Sequence, residues 1–406
     1  MSSKSSVFAT VANTPPDAIF ELTKAYVADP DTRKVNLGQG TYRDGDGNPW
    51  VLPAVEAAKD TIKNCNHEYL PILGHPPFRK LVTELVFRKE ATVISEGRVA
   101  SCQALSGTGA LHVAGMLLRR ALGRDRTVYI TNPSWSNHRQ VFESVGFSIR
   151  EFDYASRVGV DMESLHRALT EADPLSIFVF HASAHNPTGW DPSPEQWRQI
   201  GAIMKEKSLF PLFDAAYLGL TSGDYDQDAY AIQYFAEELN LEMGVCISFA
   251  KSMGLYGERT GLCAFVSRNH NIANNVESSL AQLIRSEISN PPAFGARVVT
   301  AILANNGLSS QWRRDLTTMS SRIAGMRKQL FDELTALGTP GHWKRILQQK
   351  GMFCVLGLTP EQVHHLKETY HIYMAESSRV SIAGLNEGNV RYVAECIHQV
   401  VSRPPE

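Results

Sequence analysis

The sequence predicts an α/β fold carried on a largely parallel sheet, and three observations predict it. Short apolar runs alternate with helix-like stretches through the middle of the chain, the pattern of strands joined by helical crossovers. The residues after those runs are rich in polar side chains, as expected where the strands of an open sheet end in a ligand site. A long helical stripe then leads towards the C-terminus. Strands are expected at residues 127–130, 147–152, 176–182, 210–213, 245–249 and 262–266, with helices such as 195–207 and 228–238 between some of them.

Each element has a local reason. Val245-Cys246-Ile247 is apolar at every position and reads as a buried strand. Ser106-Gly107-Thr108-Gly109-Ala110 opens an apolar stretch at 111–122. Small residues at a helix start leave backbone N–H groups uncovered, and with the helix dipole they form an anion cradle. His112 stands where a Gly-x-Gly-x-x-Gly fingerprint needs its last glycine, and Gly38-Gln39-Gly40 fails the same test, which argues against a nicotinamide dinucleotide. From 308 to 337, Trp312, Leu316, Met319, Ile323, Met326, Leu330, Leu334 and Leu337 recur at spacings of three and four, and Gly338 with Pro340 supplies the stop. Such a helix is about 45 Å long at 1.5 Å per residue, more than one compact domain needs. It reads as a bridge from a large domain, residues 48–310, into a smaller one made of 311–406 together with 1–47.

A chain of 406 residues can bury a substantial core over two such domains. A formal net charge of −2 gives no general attraction to nucleic acid or to an anionic membrane, so neither is an expected partner and any anion site must be local. No apolar run approaches the roughly 20 residues of a membrane span. Met1-Ser2-Ser3-Lys4-Ser5-Ser6 lacks the apolar centre of a secretory signal, and Ser402-Arg403-Pro404-Pro405-Glu406 is not a peroxisomal address, so a cytoplasmic protein is expected. The six cysteines have no paired ligand spacing, so packed thiols and no metal site are expected.

The chemistry centres on Lys251, directly after the buried run that ends near Phe249. A partly desolvated amine loses preference for its charged form and becomes a nucleophile towards aldehydes. Ser248, three residues earlier, and Arg259, eight residues later, can hold a dianionic group beside it. That combination points to a Schiff-base lysine and to pyridoxal 5′-phosphate. Other run ends agree: Asn132-Pro133-Ser134-Trp135-Ser136-Asn137-His138, His185-Asn186-Pro187-Thr188-Gly189, and Asp214-Ala215-Ala216-Tyr217 each follow a strand-like segment.

With these segments the chain resembles the aspartate aminotransferases, class I members of the fold-type I pyridoxal-phosphate enzymes. The resemblance covers almost the whole chain. It includes Val35-Asn36-Leu37-Gly38, Pro49-Trp50-Val51-Leu52-Pro53, Glu68-Tyr69-Leu70-Pro71-Ile72, Ser106-Gly107-Thr108, the His185 to Gly189 motif, Ser222-Gly223-Asp224, the Ser248 to Gly261 segment, Ser289-Asn290-Pro291-Pro292 and Gly351-Met352-Phe353. It implies a large, mostly parallel seven-stranded sheet domain and a smaller α/β domain joined by the long helix. The implied activity is reversible transamination of L-aspartate with 2-oxoglutarate in a homodimer whose sites are shared across the interface.

The resemblance also implies roles. Lys251 is similar to the lysine that carries the cofactor as an aldimine and then moves the substrate proton. Asp214 would face the pyridine nitrogen, with His138 supporting it, and Tyr217 with Asn186 would bond the phenolic oxygen. Trp135 would stack on the ring. Ser106, Gly107, Thr108, Ser248 and Arg259 would bind the phosphate, with Tyr69 reaching it from the neighbouring subunit. Arg379 would grip the α-carboxylate, assisted by Asn186 and Gly40 and beside Trp135. Arg285 would come across the interface to the distal carboxylate, since arginine binds carboxylates bidentately. The departures are Gln39 for a usual valine, Leu218 for a glutamine, Ile288 for an aromatic residue, Ser183 for a cysteine, and Glu376-Ser377-Ser378 for Pro-Ser-Gly. Gln39 and Ile288 leave open a different amino acid or a different outcome, such as aromatic transamination, β-decarboxylation or β-elimination.

Overall fold

The computed structural model describes residues 6–123, 125–156 and 158–402. The leader and tail readings fall mainly on residues 1–5 and 403–406, outside this range. The strands, in chain order, are β1 (Val35–Asn36), β2 (Val99–Leu105), β3 (Thr127–Asn132), β4 (Ser148–Asp153), β5 (Ile177–His181), β6 (Phe210–Ala215), β7 (Met243–Ser248), β8 (Thr260–Val266), β9 (Phe353–Val355), β10 (Ile372–Tyr373) and β11 (Arg379–Ser381). Seven of them form one sheet in the order β2-β8-β7-β6-β5-β3-β4. Pairing is parallel from β7 through β4, and β8 runs antiparallel to both of its neighbours.

Burial explains the sequence of each strand. Every residue of β5, β7 and β8 is buried, as in a sheet covered on both faces by helices. The outermost strand, β4, is Ser-Ile-Arg-Glu-Phe-Asp and largely exposed, and its charges blunt the open edge. Strand β2 carries no local strand signal: Val-Ala-Ser-Cys-Gln-Ala-Leu is mostly small residues, with little β-branching. Its full-length ladder with β8 makes it a strand, so pairing overrides propensity. That register sets Cys102 beside Cys263, and Cys263 beside Cys246 on β7. All three thiols are free and buried.

The stretch at 228–238 breaks into helical turns at Tyr225–Asp228 and Tyr230–Gln233 and a π turn at Tyr234–Glu238. Asp228 is the reason. It ends the first of these turns, and its carboxylate accepts from the N–H groups of Gly219, Thr221 and Ser222 at 2.8, 2.9 and 3.1 Å, closing the preceding loop instead of continuing a single helix.

The long helix spans Asn306–Ala336, with Asn305 capping its start and left-handed Gly338 (φ +63°) following its end. Its stripe is buried at Trp312, Leu316, Met319, Ile323, Leu330 and Leu334. The first half is bolted to the large sheet's side: Trp312 Nε1 donates to the Ser252 carbonyl at 2.8 Å, and Asp315 accepts from the Ala54 N–H at 3.0 Å. In the second half, buried Arg327 donates to the carbonyls of Ile346, Gly351 and Phe353. There β9 pairs antiparallel with β11, and β1 pairs parallel with β10, which joins the N-terminal segment to the C-terminal one.

Trp312 has no exposed surface. Trp312→Ala should therefore cost about 3–5 kcal/mol by urea unfolding. Trp312→Phe, which keeps most of the volume and loses the hydrogen bond, should cost clearly less. Equal losses in the two variants would contradict this packing account.

Candidate active site

The carboxyl ends of the parallel strands deliver Trp135 after β3, Asn186 after β5, Asp214 within β6 and Lys251 after β7 to one edge of the sheet. Because β8 runs the other way, its beginning lies at that edge, and Arg259 arrives just before it. Ser106, Gly107, Thr108, Trp135, Asn186, Asp214, Tyr217, Ser248, Lys251 and Arg259 line a single cavity, together with His181.

At the floor, Asp214 is 3% exposed. Its Oδ2 accepts from His138 Nε2 at 3.0 Å, and His138 Nδ1 lies 2.8 Å from Ser134 Oγ. Burial pushes the carboxyl up, but the His138 hydrogen bond and the neighbouring His138, His181 and Lys251 together hold it below the ordinary carboxylate value. Its Oδ1 is buried and has no partner. Lys251 lies with Nζ 5.0 Å from the Tyr217 ring centre. Burial lowers its pKa, Asp214 opposes that, and Arg259 adds to it. Burial raises the Tyr217 phenol, whose oxygen accepts from Asn186 Nδ2 at 3.3 Å.

The opposite end is built for an anion. The helix Ser106–Leu122 starts without a side-chain cap, so its first N–H groups are free to bind. Ser106 takes a left-handed φ of +59°, and its Oγ lies 2.7 Å from Ser248 Oγ. Arg259 (φ +57°) donates to the Leu105 carbonyl at 3.3 Å beside the same helix start. These features fit pyridoxal 5′-phosphate on chemical grounds: an orphaned carboxylate oxygen for a protonated ring nitrogen, a helix start with hydroxyls and a guanidinium for the phosphate, and an amine for the aldehyde.

Arg379 reaches the site through Asn186. Its Nη1 donates to Asn186 Oδ1 at 3.4 Å and its Nη2 to the Gly38 carbonyl at 2.6 Å, and its guanidinium lies 4.4 Å from the Phe353 ring centre. Its buried Nε has no partner, and burial lowers its pKa without removing a charge that arginine keeps in proteins. Gly40 packs against Phe353 so closely that a Cβ would come within 2.8 Å of the ring. Tyr69 and Arg285 stand apart from their own chain's cavity. Tyr69 is 87% exposed beside a groove shared with Asn290 and Arg297, and exposed Arg285 donates to Ser289 Oγ at 2.5 Å.

Sequence reasoning overlooked His181, the last residue of β5, whose register partner is Asp214 and whose ring centre is 5.0 Å from that of His138. A histidine at the end of a fully apolar strand was the available signal. Ligand atoms of His138, His181 and Asp214 lie within 4.8 Å of one another. The hydrogen bond already joining His138 to Asp214 makes this a proton-holding group. Asp191 was overlooked too, and Phe353 entered only within the Gly351-Met352-Phe353 segment, without a role.

Residues 32–397 match the family model described as aminotransferase class I and II. The chain is 44% identical to the cytoplasmic aspartate aminotransferase of Saccharomyces cerevisiae over 97% of both chains, and 43% identical to that of Gallus gallus over 98% and 99%. Among solved structures it is similar to aspartate aminotransferase from the Saccharomyces cerevisiae cytoplasm, with a TM-score of 0.95, 44% identity and coverage of 97% and 98%. It is also similar to an aromatic-amino-acid aminotransferase from Burkholderia pseudomallei covalently bound to pyridoxal phosphate, with a TM-score of 0.95, 37% identity and coverage of 98% and 100%.

His181 and His185 are both held well below the ordinary imidazole value, burial being the largest cause and neighbouring histidines adding to it. The folded chain therefore refuses protons that the unfolded chain accepts below about pH 6.5, and stability falls as the solution is acidified. Removing one such group in His181→Gln should flatten that fall by up to about 1.4 kcal/mol per pH unit. Urea unfolding at pH 7, 6 and 5 measures it, and parallel wild-type and variant curves would exclude the effect.

Proposed function

We propose an activity from one premise: this chain belongs to the class I and II aminotransferase family. It catalyses the reversible, pyridoxal-phosphate-dependent transfer of an amino group from L-aspartate to 2-oxoglutarate, giving oxaloacetate and L-glutamate in the cytoplasm. One observation carries the reading. A depressed-pKa amine, a buried carboxylate with a free oxygen and an uncapped helix start share a cavity, and a buried arginine is joined to it through Asn186.

Bound pyridoxal 5′-phosphate supplies an aldehyde that takes up the amino group and a ring that accepts the electron pair left when the Cα proton departs. The chain's residues do the rest. Ionised Asp214, oriented by His138, keeps a proton on the ring nitrogen. Ser106, Gly107, Thr108, Ser248 and Arg259 anchor the phosphate, and Trp135 covers the ring. Tyr217 and Asn186 donate to the phenolic oxygen. Lys251, with its lowered pKa, is the base that takes the substrate's Cα proton and returns it. Arg379 binds the α-carboxylate beside Asn186, with Gly40 leaving it room.

Arg285 and Tyr69 belong to the site of a second copy in this reading, which makes the protein a homodimer. Their separation from their own cavity supports this, as do Val7, Phe8 and Val11, each more than two-thirds exposed. The domain division at 48–310 and 1–47 with 311–406 belongs to the same proposal, since it lets Lys251 and Arg379 face each other from different bodies. Gln39 and Ile288 favour one variation, a broader range that includes aromatic amino donors.

Cofactor-loaded protein should form glutamate from aspartate and 2-oxoglutarate in a near-unity ratio. Lys251→Ala should lower kcat by about 10²–10⁴-fold, and Arg379→Lys, which loses the bidentate fork, should lower kcat/KM for aspartate by about 10–100-fold. A donor panel with aspartate, cysteine sulfinate and aromatic amino acids measures breadth. Loaded protein that yields no glutamate from aspartate would sink the proposal.

A further inference from the structure

Asn186 is the side chain that joins Tyr217 to Arg379, and both of its hydrogen bonds are long, at 3.3 and 3.4 Å. Bonds of that length are lost on a small displacement, so the position of the backbone at 186 matters. The turn from Ala184 to Gly189 sets it. Ala184 takes a left-handed φ of +52°, uncommon for a residue with a Cβ. Gly351 crosses so close that a Cβ there would come within 2.3 Å of that of Ala184. At the far end, Gly189 donates to the His185 carbonyl at 2.7 Å, and its own carbonyl accepts from the Lys350 N–H at 2.6 Å. The His185 ring is clasped between the hydroxyls of Thr131 and Thr188, both at 2.9 Å.

The near end is held by a carboxylate. Asp191 Oδ2 accepts from the Ala184 N–H at 2.8 Å and Oδ1 from the His185 N–H at 2.9 Å, one oxygen to each of the two peptides before Asn186. Charge-assisted bonds of this kind are the strong ones. Asp191 does not line the cavity of Lys251. It faces a separate cleft with Asp228 and Lys350.

We propose that Asp191 is a positioning residue: by holding the N–H groups of Ala184 and His185, its carboxylate sets where the Asn186 carboxamide stands between Tyr217 and Arg379, and so sets affinity for the dicarboxylic substrate. The proposal rests on the functional reading above in taking Tyr217 and Arg379 to face cofactor and substrate. Burial pushes the Asp191 carboxyl up to about 6 against the pull of its two backbone donors, while Asp228 repels its charge and Lys350 attracts it. At pH 8 both oxygens are available as acceptors. Asparagine offers one acceptor and turns an NH₂ group towards the second N–H, and alanine offers none.

The test uses Asp191→Asn and Asp191→Ala at pH 8. Backbone hydrogen exchange over residues 184–189 should accelerate in both variants. In cofactor-loaded protein, KM for aspartate should rise by about 10–100-fold while kcat stays within about 3-fold. The pH midpoint of the bound cofactor's visible absorbance should move upwards as Asn186 leaves Tyr217. Unchanged exchange in both variants overturns the proposal, as does a lowered melting temperature with KM and absorbance midpoint unmoved. If wild-type protein binds no cofactor and turns over no aspartate, the functional reading fails. The exchange result then still decides whether Asp191 holds the turn.

Discussion

An ionised carboxylate lies at the end of a strand buried on both faces, and the site is arranged around the cost of keeping it there. Removing a carboxylate from water costs several kcal/mol unless partners replace the lost hydration. Asp214 has His138 on one oxygen and Lys251 within its field, and its other oxygen has no partner. A buried anion compensated on one side only is an acceptor in search of a donor. In the proposed function a protonated ring nitrogen would meet that need and would let the ring act as an electron sink. His138 supplies the direct hydrogen bond, while burial holds His181, the register partner of Asp214, well below the ordinary imidazole value.

Holding this group in place requires the two ends of the chain to be fixed relative to the sheet, and the long helix does so by direct bonds. Trp312 fastens it to the carbonyl of Ser252, the residue after Lys251. Arg322 donates to the carbonyls of Asp44 and Leu385, and Arg327 to those of Gly351 and Phe353, whose ring lies against Arg379. One rigid element thus touches the turn that carries Lys251 and the segments around Arg379. Their separation depends on the helix and not on a flexible linker.

What could be read from the sequence follows from the range of the interactions involved. Lys251 was legible because the cause is local: an apolar run, a hydroxyl and an arginine within fifteen positions. The long helix was legible because its stripe repeats over many turns, and its expected limits at 308–337 differ from Asn306–Ala336 by two residues at one end and one at the other. Strand β2 was not legible, because only its pairing with β8, far along the chain, makes it a strand. His181 and Asp191 were missed for the same reason. A histidine closing an apolar strand gains meaning only when registration sets it beside Asp214. An aspartate after Gly189-Trp190 reads as a loop residue until the turn folds back and gives it two N–H groups. Motif resemblance supplied Arg379 and Arg285, which no local pattern distinguishes from surface arginines.

The departures from the family pattern can be ordered by where they sit. Leu218 is 1% exposed in the main core, so its difference acts through packing. Ile288 caps the helix His270–Glu287 and packs on the sheet's second apolar cluster, one turn from Arg285. It can change how that arginine is presented, which bears on the role the proposed function gives Arg285. Gln39 lies between Gly38, whose carbonyl Arg379 already binds, and Gly40, which touches the Phe353 ring. Its own N–H is held by Asn36 Oδ1 at 3.2 Å, so its backbone is fixed while its carboxamide adds a polar group where the family usually carries an apolar one. Of the three, Gln39 therefore bears most directly on Arg379, and under the proposed function a change in amino-acid preference is most readily traced to it.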